Sequence, residues 1–253
     1  MNRIIGSNAF DIVILVGPND KMIFKEQIKY TKKNIIGYRN IYLICYDPTI
    51  NEDGCITINE NIFPFNKQTV IKYHGESNRN GWYLQQLLKL YAGRSIPNIL
   101  NRYLVIDCDT FFLKKTVFIK DNKCLYNFGK EYHKPYFEHM LKLDKNLIKK
   151  YNVSGICHHM MFENNYIEEL ILIIENNHND YFYNIFLKFV TNIQAGASEY
   201  EIYFNYMLNN HLDKIEIRKL NYTEPDGWYN IDSMNNNNTY YDYISYHHYR
   251  KQK

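Results

Sequence analysis

Apolar residues first gather at residues 11–16, Asp-Ile-Val-Ile-Leu-Val, and the run is closed by the turn Gly17-Pro18-Asn19-Asp20. A short aliphatic, β-branched run bounded by turn residues predicts a buried strand. Asp20 is placed to cap a helix running to about residue 33. A second apolar run at residues 41–46 ends at Asp47-Pro48, and weaker strand signals lie at residues 56–58 and 70–73. Leu84, Leu87, Leu88 and Tyr91 then recur at i, i+3, i+4 and i+7, predicting an amphipathic helix that stops near Gly93. Residues 103–106, Tyr-Leu-Val-Ile, predict a third buried strand that breaks off at Asp107. Strand and helix alternate, which builds a mainly parallel sheet with helices on its faces.

Past residue 110 the pattern is less regular. Strands are predicted at residues 124–128, 156–162 and 215–220. Pro135 starts a helix carrying Phe137, Met140 and Leu141. Ile167, Leu170, Ile171 and Ile174 mark another helix, and residues 198–210 a further one. Asn235 to Asn238 form a loop with nothing to pack. No internal repeat and no Pro/Gly/Ser-rich linker divides the 253 residues, so one α/β domain spanning residues 1–253 is expected.

A net charge of +3, without a basic stripe, argues against a nucleic-acid partner. The 25 Tyr, with abundant Asn, Ile and Lys, read as the coding bias of an A/T-rich genome. The five Cys are scattered, odd in number and without Cys-x-x-Cys spacing, as in a reducing compartment. The N-terminus lacks the apolar core of a signal peptide, and no stretch approaches the roughly 18 apolar residues of a membrane span. A cytoplasmic chain with no membrane span is the expectation.

The candidate chemistry sits at Asp107-Cys108-Asp109, just past the third strand. Open α/β sheets place ligands at the carboxyl ends of their strands. Two carboxylates one residue apart repel, and desolvation adds to the cost. A hard divalent cation, Mn²⁺ or Mg²⁺, relieves it through oxygen ligands. The bland alternative is a strand that ends in two solvated acids.

The order of elements, with Asp107-Cys108-Asp109 about 100 residues past the first strand, resembles GT-A-type glycosyltransferases that use nucleotide-sugar donors. Arg79-Asn80-Gly81-Trp82-Tyr83-Leu84-Gln85-Gln86, the Asp-x-Asp strand and Ser198-Glu199-Tyr200-Glu201-Ile202-Tyr203 are similar to a group of bacterial and viral glycosyltransferases. The resemblance implies a Rossmann-like GT-A domain: about residues 1–110 as the nucleotide-binding half, about 111–253 as the acceptor and catalytic half. It implies Asp109 as metal ligand and Asp107 as a ribose contact or a ligand through water. It implies a late His completing the metal shell, His247 ahead of His248. It implies Glu199 as the base of an inverting reaction, and Val16, Gly17 and Asp47 as nucleoside contacts. The donor implied is a UDP-sugar, and the acceptor a glycan or protein.

Each assignment has a structural competitor. Ser198-x-x-Glu201 matches a capping box, which gives Glu201 to backbone N–H groups and leaves Glu199 as either base or solvated acid in the first helical turn. His247-His248 in a Tyr-rich tail suits an extended segment with one His facing in. His158-His159 divides evenly between the site and the core. Arg79 can pair with phosphate through its guanidinium fork or remain a solvated loop residue. Trp82 reads as core, whereas Trp228, on a Gly/Pro-marked loop, is the better aromatic for an acceptor sugar. Arg250 and Lys251 could face the diphosphate or carry only tail charge.

Other functions compete as well. A phosphohydrolase of the haloacid dehalogenase type also carries Asp-x-Asp after a strand, but its signature wants Thr or Val where this chain has Phe111. A nucleotidyltransferase would want a Gly-rich basic loop after the first strand, where this chain has Gly17-Pro18-Asn19-Asp20. A glycosyltransferase-like module that binds sugar without turnover is the non-enzymatic alternative.

Overall fold

A computed structural model describes residues 9–225 and 240–246. In chain order the strands are β1 (Phe10–Val16), β2 (Ile35–Ile36), β3 (Tyr38–Cys45), β4 (Ile56–Asn59), β5 (Arg102–Ile106), β6 (Thr110–Phe112) and β7 (Thr116–Val117). They continue with β8 (Ile119–Lys120), β9 (Lys123–Asn127), β10 (His159–Glu163), β11 (Ile215–Arg218), β12 (Tyr222–Thr223) and β13 (Tyr243–Ser245). The helices are α1 (Phe24–Asn34), α2 (Lys67–His74), α3 (Asn80–Ser95), α4 (Lys134–Leu143), α5 (Asn164–His178), α6 (Phe182–Lys188) and α7 (Glu199–Asn210).

Five strands form the central sheet in the order β10-β5-β1-β3-β4. β1 lies parallel to both β3 and β5, β3 is parallel to β4, and β10 runs antiparallel to β5. Every residue of β1 is buried, as a strand covered on both faces requires. This includes Asp11, whose carboxylate accepts from Arg39 Nε at 3.0 Å and Arg39 Nη2 at 2.6 Å. The amides of Asn40 and Leu100 also donate to it, so this desolvated charge is fully compensated. The carboxyl ends of β1, β3 and β5 open on one edge. Because β10 is antiparallel, its start reaches the same edge, where the Asp107 amide donates to the His158 carbonyl at 2.9 Å.

Three local expectations need correction. Residues 70–73 lie in α2, because Asn66 caps the helix: its side chain accepts from Thr69 N at 3.1 Å while Thr69 Oγ1 accepts from Asn66 N at 3.2 Å. That reciprocal pair outweighs the β-branched run. Asp20 does not cap α1, which starts at Phe24; its carboxylate accepts from Gly17 N at 2.9 Å and closes a separate 3₁₀ turn. The strand expected over residues 156–162 is confined to β10, since His158 adopts φ 62°. α6 and the pairing of β13 with β6 were not expected; the latter joins Ser245 to Thr110, too distant for any periodicity to register.

Asn235 to Asn238, Trp228, His247, His248, Arg250 and Lys251 lie outside the described residues. Among the described residues no helix is long and apolar enough to cross a membrane.

Candidate active site

The Ile106–Asp107 junction ends β5, and Asp107 O accepts from Thr110 N at 2.9 Å in the turn that carries Cys108 and Asp109. Behind that turn lies α3, whose Lys89 is buried. Lys89 Nζ stands 2.6 Å from Asp107 Oδ1 and 2.7 Å from Glu199 Oε1. Tyr200 O–H donates to Asp107 Oδ1 at 2.8 Å, and the ammonium sits 4.4 Å from the centre of the Tyr200 ring. Glu199 and Tyr200 open α7, where Ser198 Oγ accepts from Glu201 N at 3.3 Å and Glu199 N donates to Gln86 Oε1 at 3.1 Å. Two helices and a strand end thus converge on one buried cation.

The charges follow from this packing. Burial disfavours the Lys89 ammonium, yet Asp107 and Glu199 outweigh it and hold the group charged, its pKa above the ordinary lysine value. Burial pushes the Asp107 carboxyl up, but Lys89 and then His158 reverse that and hold it well below the usual carboxylate range. Glu199 goes the other way: burial raises it, Asp107 adds to the rise, and Lys89 offsets only part.

His158 faces Asp107 from the other side. Its φ of 62° is left-handed, a conformation that costs a non-glycine residue about 1–3 kcal/mol and persists where surroundings over-determine it. Nδ1 is 3.7 Å from Asp107 Oδ2, and Nε2 is 3.0 Å from Glu224 Oε1, just past β12. Burial alone would lower its pKa; Asp107 and Glu224 win and pull it up to about 9. His159 is a core residue, ringed by Phe112, Phe118 and Tyr243 and pushed down to about 3 by burial. The His pair therefore divides, one to the site and one to the core.

Asp109 is half-buried. Its Oδ1 lies 3.4 Å from Ser245 Oγ, and its carbonyl accepts from Tyr246 N at 2.9 Å. Tyr246 is the last described residue, so His247 is the next residue after one that touches Asp109. Among the described residues no group of three His, Cys, Asp or Glu side chains is arranged to hold a metal ion.

Val16 and Gly17 lie at the carboxyl end of β1, Asp47 just past that of β3. Asp47 accepts from Thr49 N at 3.0 Å and Thr49 Oγ1 at 2.6 Å, with Lys21 Nζ at 3.6 Å. Arg79 precedes α3, its guanidinium 4.2 Å over the Trp82 ring. Glu201 departs from the expected capping box: its carboxylate takes Ser154 Oγ and Asn205 Nδ2 instead of the Ser198 amide. Glu199 is not a solvated first-turn acid, because it is buried against Lys89.

Lys89, Tyr200 and Glu224 were missed by reading the sequence. Lys89 had a usable signal, a lone cation inside the apolar run Leu87-Leu88-Lys89-Leu90-Tyr91-Ala92. Such a charge needs a buried partner. Tyr200 and Glu224 carry no comparable mark.

The fold is that of GT-A glycosyltransferases. The galactosyltransferase LgtC, solved with donor and acceptor sugar analogues, superposes with a TM-score of 0.53 at 10% identity, covering 94% of this chain and 87% of that one. An apo structure of mouse xyloside xylosyltransferase 1 aligns over 94% of this chain and 97% of that one, at a TM-score of 0.42 and 8% identity. No curated protein matches the chain in sequence. The profile of a family described as of unknown function, DUF6492, matches residues 12–252, and the chain belongs to that family.

Proposed function

We propose that this protein transfers a sugar from a nucleotide-diphosphate donor, a UDP-sugar by the family resemblance, to a hydroxyl of a glycan or protein acceptor. The observation that carries the reading is Asp107 and Asp109 at the carboxyl edge of the sheet, with Lys89 buried behind them and Glu199 on its far side. Val16, Gly17 and Asp47 line the edge where the nucleoside would lie.

Hard carboxylate oxygens suit Mn²⁺ or Mg²⁺, and Asp107 keeps 23% of its side chain exposed while being held ionised. Asp109 and Asp107 would hold the cation, together with His247 from outside the described residues. When bound, a divalent cation offsets the charge that grows on the departing diphosphate. Lys89 fixes Asp107 in its ionised form and orients it. In an inverting reaction Glu199 takes the proton of the acceptor hydroxyl as that oxygen bonds to the anomeric carbon and the bond to the diphosphate breaks. A carboxyl whose pKa burial has raised suits that task.

A sugar-binding module without turnover is the second reading. It is favoured by Glu199 being buried and already paired with Lys89. Release of UDP from a panel of UDP-sugars in Mn²⁺ decides between them. On the transferase reading the native chain turns over and Asp109→Ala, with an unchanged far-ultraviolet spectrum, does not. Equal Mn²⁺-dependent turnover in that variant would sink the metal assignment.

A further inference from the structure

Three segments meet beside Glu199 in a patch the proposed donor chemistry does not use. The start of α3 supplies Arg79 and Trp82, with the guanidinium 4.2 Å above the indole. The start of α4 supplies Tyr136, 6.5 Å from Trp82 between ring centres, and His133, 4.6 Å from Tyr136. The third segment runs from Asn192 to Ser198. It is fastened to the first by Tyr83 O–H donating to Asn192 O at 2.9 Å and Gly196 N donating to Tyr83 Oη at 3.0 Å. His133 Nε2 fastens it to the second, 2.7 Å from Ala195 O. This segment leads directly into Glu199. The charged groups acting on the Tyr136 phenol are Glu131, Glu199 and Arg79, so the patch and the candidate catalytic carboxylate share one field.

The chemistry of the patch is specific. Indole and phenol rings give apolar faces for the C–H side of a sugar ring. A guanidinium fork donates to adjacent hydroxyls, and Glu131 and Glu199 accept from them. Space exists at the rim: a Cβ placed on Gly81, next to Trp82, meets nothing within 4 Å. Arg79, Trp82 and His133 are half-buried, whereas Tyr136 is buried with 8% exposure, so Trp82 is the ring open to a ligand and Tyr136 is the ring that backs it.

We infer that Arg79, Trp82 and Tyr136 form the subsite for the saccharide ring of the acceptor. The inference rests on the transferase reading of the Asp107–Lys89–Glu199 centre, and it moves Arg79 from the donor phosphates to the acceptor. It also makes the acceptor a glycan rather than a bare protein side chain.

The test is direct binding, independent of turnover. The chain has two tryptophans, Trp82 and Trp228, so in a Trp228→Phe background the emission reports Trp82 alone. Lactose, maltose and N,N′-diacetylchitobiose are titrated with and without UDP and Mn²⁺, and the titration is repeated on the unmodified chain. A saturable shift with at least one disaccharide is expected. Arg79→Ala and Tyr136→Leu should weaken it about tenfold, the scale of one aromatic contact. Tyr181→Ala, an exposed ring just before α6 and outside the patch, should leave it unchanged. No response to any of the three sugars overturns the subsite, as does a response that survives both patch variants. Saccharide binding by a chain that never releases UDP keeps the subsite and overturns the transferase reading.

Discussion

Lys89→Met tests the centre from inside. Methionine keeps the length and apolar volume of the lysine stem but removes the ammonium that lies 2.6 Å from Asp107 and 2.7 Å from Glu199. Breaking a buried ion pair from one side costs about 3–5 kcal/mol, because the charge left behind has lost its compensation. Two carboxylates are stranded here, which pushes the figure up. The residual 23% exposure of Asp107 and its bond from Tyr200 pull it down. A loss of about 3 kcal/mol at pH 7 is the balance, or roughly 6–12 °C in the unfolding midpoint for a chain of this size.

The pH dependence adds a sharper signature. In the native chain the lowered Asp107 pKa contributes stability above its unfolded value of about 3.9, and that stability is lost as pH falls through the folded value. In the variant Glu199, already above its unfolded value, loses the lysine that offset part of its rise, and Asp107 keeps only His158 and Tyr200 against the upward push of burial. Both carboxyls then titrate at higher pH than in the native chain, so the deficit relative to the native chain is smallest at low pH and grows as pH rises. The deficit of Lys89→Met relative to the native chain should therefore shrink between pH 7 and pH 5. Urea unfolding at the two pH values measures this. A variant with the native midpoint at pH 7, or one equally destabilised at both, would refute the reasoning.

Two further perturbations probe the frame around the centre. Burial pushes the His139 imidazole down to about 4 while its Nε2 keeps the Phe186 carbonyl at 2.8 Å. The unfolded chain takes up that proton first, so His139 should account for a loss of about 3 kcal/mol as pH drops from about 6.5 to about 4, beside a loss of the same sign from His159. His139→Gln should make the native curve shallower over that window, and superimposable curves would dismiss His139 as a source. Gly155→Ala would place a Cβ 2.5 Å from Phe204 Cβ and 2.8 Å from the Tyr200 carbonyl. It should cost about 1–3 kcal/mol by overpacking and displace α7 from the His158 loop. An unchanged melting midpoint would contradict that contact.

Much of the frame is legible in the chain. β1, β3 and β5 are short aliphatic runs buried on both faces, and α3 and α7 are periodic and bounded, so local pattern suffices for them. Asp107 and Asp109 stand out because acids interrupt a strand that nothing else would end there. Lys89 escapes because helical periodicity counts apolar positions and treats a polar one as a gap, whereas its role depends on Asp107 and Glu199, 18 and 110 residues away. Which of His158 and His159 faces the site is not legible for a different reason: the left-handed φ of His158 turns its side chain out of the alternation by which strands are read. Residues 70–73 mislead because two side chains of the preceding turn, Asn66 and Thr69, decide the conformation.

The most direct test of the central claim is thermal unfolding with UDP and with GDP, each in the presence and absence of Mn²⁺. A ligand at about 100 times its dissociation constant adds roughly 2.7 kcal/mol. A nucleotide-binding edge completed by a metal on Asp107 and Asp109 predicts a rise in the midpoint that needs UDP and Mn²⁺ together and disappears in Asp109→Ala. A midpoint that neither nucleotide moves, with Mn²⁺ present, would contradict it.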